Sequence, residues 1–131
     1  VSVESSAKKG TDKRGEAARK LLQQIPLSAN QTVILARGPQ LLAHRGELKL
    51  TEALDIAVYV ANGWKEQGQQ ARVQFMRLPI MPNERLLYTR RLRGDFLLTF
   101  VDAADAPLPR LSQLANQFMA LLESSSRNGY N

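Results

Sequence analysis

A three-layer α/β/α sandwich around a five-stranded antiparallel sheet is the fold this sequence predicts. Three observations point to it. Apolar residues recur at helical spacing in three separate stretches, near both ends of the chain and in its middle. Between them lie five short runs of β type, and each direct strand-to-strand link is too short for a parallel crossover, which favours antiparallel pairing. The last run, Phe96 to Val101, is apolar on both faces, so it belongs in the middle of a sheet covered from both sides. The order is α-β-β-α-β-β-β-α, with one helix expected on one face and two on the other.

The chain has 131 residues, enough for one domain that hides roughly two-thirds of its unfolded surface. There is no cysteine, which excludes disulfides, thiolate catalysis and cysteine-based metal sites and fits a reducing, cytoplasmic compartment. No stretch approaches the roughly 20 apolar residues of a membrane span. Beginning at Val1 rather than Met, the chain is expected to be trimmed or cut from a longer protein. Its net charge is +6, and 12 of the 18 basic residues are arginine, but they are scattered rather than gathered into a stripe.

Residues 1–11 are rich in Ser, Lys and Gly and carry no apolar period; they are expected to form a flexible basic tail. The domain is expected over 12–124, with a flexible polar tail at 125–131. Ala18, Leu21, Leu22 and Ile25 fall on one helical stripe, capped by Asp12 and ended by Pro26. Gly15 weakens the first turns, so the helix is expected to start near Glu16. Thr32 to Arg37 and Gln40 to Arg45 read as a hairpin turned at Gly38-Pro39, with Gly46 closing the second strand.

The middle helix organises the rest. It is expected from Leu50 to Gln67, with Thr51 as its cap, Glu52 and Asp55 in the first turn, and Gly68 beyond its end. From Ala53 to Ala61 nearly every position but Asp55 is apolar. One core needs only a stripe. This helix therefore needs a second apolar neighbour, which we read as another protein chain. Gly63 costs about 1 kcal/mol against alanine in a helix interior, and close approach of another helix would account for it.

Three strands follow. Ala71 to Leu78 alternates, with Val73 and Phe75 on one face and Gln74 and Met76 on the other. Pro79 to Asn83 is a loop, because two prolines do not fit a central ladder. Arg85 to Leu92, a turn at Arg93-Gly94-Asp95, and Phe96 to Val101 complete the sheet. After a loop from Asp102 to Pro109, the residues Leu111, Leu114, Ala115, Phe118, Leu121 and Leu122 form the last helical stripe, and Ser124 to Asn131 is expected to fray.

These residues, in this order, resemble the roadblock family, the dynein-light-chain and Ras-like-GTPase-regulator superfamily, whose fold is roadblock/profilin-like. The resemblance runs from about Gln31 to Leu122. It is carried by the first hairpin, Val33 to Gly46, by the alanine-rich middle helix, and by Phe96 to Asp102 leading into Leu108-Pro109-Arg110-Leu111. Gly38-Pro39 stands where the family has Asp-Gly. The resemblance implies a homodimer in which third strands pair edge to edge and middle helices pack side by side. It also implies a small Ras-like GTPase as partner.

The interface residues expected are Leu54, Val58, Ala61 and Trp64 on the helix, with Val73 and Phe75 on the edge strand. Left unpaired, such an edge is an aggregation liability. No catalytic, cofactor-binding or metal-binding residues are expected. His44, the single histidine, has no companion ligand or nucleophile nearby in sequence. Arg85, Arg90, Arg91 and Arg93 cluster in and after the fourth strand with charge on both faces and no interleaved aromatics, so they read as solvated ends or ion-pair partners rather than a nucleic-acid platform. The expected function is a non-enzymatic homodimeric platform for a small GTPase or related signalling partner. Two alternatives are a sensory module holding a small ligand beside Tyr59, Trp64 and Phe75, and a basic nucleic-acid-binding domain.

Overall fold

The computed structural model describes residues 13–64, 70–77, 84–93 and 95–128. The chain runs through α1 (Lys13–Leu22), β1 (Thr32–Arg37), β2 (Gln40–Gly46), α2 (Leu50–Gly63), β3 (Ala71–Arg77), β4 (Glu84–Arg91), β5 (Phe96–Ala103) and α3 (Leu108–Asn128). All strand pairings are antiparallel, and the sheet order is β2-β1-β5-β4-β3. The two-faced apolar strand β5 lies at the centre, as its composition requires.

Alternation along each strand divides the core in two. Val33, Leu35, Leu86, Tyr88, Phe96, Leu98 and Phe100 face α1 and α3, where they meet Leu22, Leu111 and Phe118. Ile34, Leu87, Leu97 and Val101 point the other way and are covered by Ala53, Ile56 and Val60 of α2. Among the described residues, two helices therefore cover one face and one covers the other. Each fully buried Leu, Ile or Phe contributes roughly 1.5–3 kcal/mol over leaving it in water.

Several boundaries differ from those the sequence suggests. Helix α1 begins at Lys13, so Gly15 lies inside it and does not delay it to Glu16; Asp12 lies outside the described residues. The cap of α2 is Lys49, not Thr51, which sits exposed in the first turn. Glu52 decides this: its carboxylate turns back and accepts the Lys49 backbone N–H at 3.2 Å. The same helix stops at Gly63, short of Gln67, with Trp64 already out of helical geometry at φ −92, ψ 84. Gly68 and the Pro79–Asn83 loop lie outside the described residues. Strand β5 runs on to Ala103, because Asp102 is tied in place by Gln31 Nε2 at 2.7 Å and by the Ala103 N–H at 2.8 Å. Helix α3 continues to Asn128 beyond the expected fraying point at Ser124. Among the described residues no helix is long and apolar enough to cross a membrane.

Candidate interaction surface

The sheet has two edges, and they are built differently. Strand β2 carries a bulge opposite Leu35 and Ala36 and ends on Gly46 at φ 127. Such an irregular edge resists pairing with another strand. Strand β3 pairs with β4 in one unbroken register from Ala71–Arg90 to Arg77–Glu84. The Arg91 N–H donates to the Gln70 carbonyl at 2.8 Å, which sets the phase of that ladder. Gln70, Arg72, Gln74 and Met76 thus turn their backbone groups toward β4. Ala71, Val73, Phe75 and Arg77 turn theirs toward the open edge.

The side chains of Val73 and Phe75 stand on the α1/α3 side, opposite Tyr88 and Leu86. Helix α3 covers β4 on that side but leaves β3 open: Val73 is 39% exposed and Phe75 48%. On the opposite side Arg72, Gln74 and Met76 are half-buried toward α2.

Helix α2 turns Ala53, Ile56, Ala57 and Val60 to the sheet and buries them. Leu54 and Val58 remain 43% and 46% exposed, and Ala61 and Trp64 are half-buried. Trp64 packs against the α2-side core, and its Nε1–H has no hydrogen-bond partner among the described residues. The six residues expected to form one interface therefore fall into two groups. Leu54, Val58, Ala61 and Trp64 are on α2, while Val73 and Phe75 are on the far side of the sheet. A pocket lined jointly by Tyr59, Trp64 and Phe75 is not formed, since the sheet separates Phe75 from Trp64 and Tyr59 is exposed.

Sequence reasoning missed two members of this surface. Leu50, the most exposed large apolar residue among those described, extends the stripe of Leu54 and Val58 by one turn at i, i+4, i+8 spacing. Its position as the first residue of the helix masks its place on that stripe in the sequence. Gln74, on β3, has a buried Oε1 with no hydrogen-bond partner among the described residues. Gly63 also has a different explanation from the expected one. A Cβ there would stand 2.9 Å from Arg72 Nη1 and 3.1 Å from Gln74 Nε2, so the glycine makes room for its own edge strand.

The arginines of β4 are engaged within the fold. Arg90 reaches the Tyr88 hydroxyl at 3.3 Å and the Met119 sulfur at 3.4 Å, on the α3 side. Arg91 pairs with Asp95 at 3.4 Å, Arg93 with Glu123 at 4.0 Å, and Arg85 with Glu47 at 3.8 Å. Arg37 lies over the Phe96 ring at 4.8 Å from its centroid. His44 is half-buried on β2 opposite Ile34, and among the described residues no group of three or more His, Asp or Glu could hold a metal ion.

A five-stranded antiparallel sheet between one helix and two, in this order of elements, is the fold of the roadblock/LC7 domains. The structure is similar to that of the gliding protein MglB from Thermus thermophilus, with a TM-score of 0.61 at 20% identity, covering 84% of this chain and 88% of that one. An MglB structure described as having a tetrameric arrangement gives a TM-score of 0.61 at 20% identity, over 85% and 89% of the two chains. The Roadblock/LC7 domain from Streptomyces avermitilis gives 0.50 at 15% identity, over 86% and 93%. Neither a family model nor a curated protein sequence matches the chain. At these identities the likeness is one of fold.

Proposed function

We propose that this chain is a non-enzymatic platform domain that pairs with a second copy of itself and presents the joint surface to a small Ras-like GTPase in the cytoplasm. One observation carries the reading: among the described residues the regular β3 edge of the sheet is open, and the side chains beside it are Val73 and Phe75. Val73 and Phe75 are 39% and 48% exposed, so enclosing them in both copies contributes roughly half of the 1.5–3 kcal/mol that full burial of such a side chain is worth, for each of the four. Pairing the two edges also removes the hazard of a free strand. The exposed stripe Leu50, Leu54 and Val58 on α2 supplies a second apolar surface for the copy or for the partner. The tetrameric arrangement described for one MglB agrees with self-association in this fold. The GTPase as partner rests on the resemblance to the roadblock family.

Light scattering of the full chain is expected to give a dimer, and Phe75→Asp a folded monomer. Calorimetric titration with a small Ras-like GTPase, loaded with GDP or with a GTP analogue, is expected to show binding by the dimer and loss of binding in the monomeric variant. A wild-type chain that stays monomeric at high concentration overturns the pairing. A dimer that binds neither nucleotide form overturns the choice of partner.

A further inference from the structure

We infer that two copies join through β3 in the register that places Gln74 on the two-fold axis. The inference rests on the dimer proposed above and specifies how it is assembled.

The backbone phase restricts the choices. Among the described residues, Ala71, Val73, Phe75 and Arg77 offer N–H and C=O groups to the edge, so these pair among themselves across an antiparallel junction. Registers that set Arg72 against the partner's Arg72, or Arg77 against the partner's Arg77, put like charges directly opposite each other and are disfavoured. Centring the axis on Val73 or Phe75 leaves part of the strand without a mate. Centring it on Gln74 matches all 7 residues of β3. Ala71 then faces the partner's Arg77, and Val73 faces the partner's Phe75, twice over by symmetry. Every outward backbone group has a mate, and each exposed apolar side chain meets an apolar one.

The side chain at the axis supplies the second argument. Gln74 projects to the α2 side, where its Nε2 lies against Gly63 and its Oε1 is buried without a partner. A buried acceptor left unsatisfied costs about 1–3 kcal/mol. On the axis, Gln74 and the partner's Gln74 form a directly opposed pair with Cα atoms about 4.5 Å apart. In the single chain Oε1 is enclosed by its own neighbours, so the terminal amide must turn about its soft last torsion toward the axis, where each can donate Nε2–H to the Oε1 of the other. A leucine there would pack and a glutamate would repel; an amide is both donor and acceptor, so it can satisfy an identical copy of itself.

The native chain has no cysteine, so single cysteines report the register directly. In the full chain under mild oxidation, Gln74→Cys is expected to cross-link to its own kind, since its Cα separation fits a disulfide. Val73→Cys and Phe75→Cys are each expected to stay uncross-linked alone, being about 8 Å from the partner's equivalent residue. Mixed together, they are expected to join to one another. Gln74→Glu is expected to raise the dimer dissociation constant about tenfold or more at neutral pH. Dimers that cross-link instead through Val73→Cys alone or Phe75→Cys alone, or through none of these variants, overturn the register and leave the dimer standing. Monomers by light scattering of the wild type overturn both.

Discussion

Arg45 on β2 reaches beneath the end of α1 and donates Nη1–H to the Leu22 carbonyl at 2.5 Å, while its Nη2 donates to the Ile25 carbonyl. Both carbonyls belong to the last turns of the helix and its exit, where backbone acceptors have no intrahelical mate and the dipole favours a cation. One side chain thus closes the helix and ties it to the edge hairpin. Arg45→Met keeps the aliphatic stem but removes the donors. We expect a loss of about 2 kcal/mol and a fall in Tm of several degrees, read by thermal denaturation, with no change in dimer dissociation measured below the transition.

The neighbouring residue makes a different demand. Gly46 sits at φ 127, and a Cβ there would stand 2.4 Å from the Gln31 carbonyl oxygen and 2.6 Å from the Thr32 Cα. These are backbone atoms of the adjoining strand and cannot swing aside. Gly46→Ala is expected to cost about 3 kcal/mol or more through strain and clash. Gly38, at φ 56 with open space around it, should tolerate alanine at a lower cost, about 1 kcal/mol. Denaturant titration of the two variants compares them.

Beneath α2, Thr89 and Thr99 face each other across β4 and β5 with their hydroxyl oxygens 2.9 Å apart, both buried. Thr99→Val or Thr89→Val alone leaves one hydroxyl in the core without its mate and is expected to destabilise by about 1–3 kcal/mol. Replacing both removes the stranded group. The double variant should therefore lose less than the sum of the singles, a coupling that a double-mutant cycle in urea measures.

Much of this fold was legible because local chemistry and tertiary role agree. Phe96 to Val101 reads as a central strand because both of its faces are apolar, and it is central. The stripe Ala18, Leu21, Leu22, Ile25 reads as a helix face and is buried as one. Failures came where a distant or non-adjacent group decides. Thr51 is the better intrinsic cap, yet Glu52 turning back to Lys49 starts the helix earlier. The alternation of Val73 and Phe75 against Gln74 and Met76 was clear. Which of those faces α2 would cover was not, because that depends on how β3 is paired in the finished sheet and not on the strand's own residues. The two halves of the expected interface, on α2 and on the edge strand, lie on opposite sides of the sheet, a separation that no local pattern in either segment encodes.

Ile56 and Val58 are two residues apart on α2 and separate folding from association. Ile56 points into the sheet and is fully buried among Ile34, Leu87 and Val101, whereas Val58 is 46% exposed. Ile56→Ala opens a cavity in a packed layer and is expected to cost about 2–5 kcal/mol of stability. Val58→Glu changes a surface position, so the unfolding free energy of the isolated subunit should move by no more than about 0.5 kcal/mol. If α2 packs against a second copy or a partner, the same substitution buries a charge in an apolar contact, and association should weaken about tenfold or more. Chemical denaturation at low protein concentration reads the first effect and sedimentation equilibrium the second. Val58→Glu that leaves sedimentation and GTPase titration unchanged assigns the stripe to neither interface, and the open edge of β3 alone would then carry the assembly.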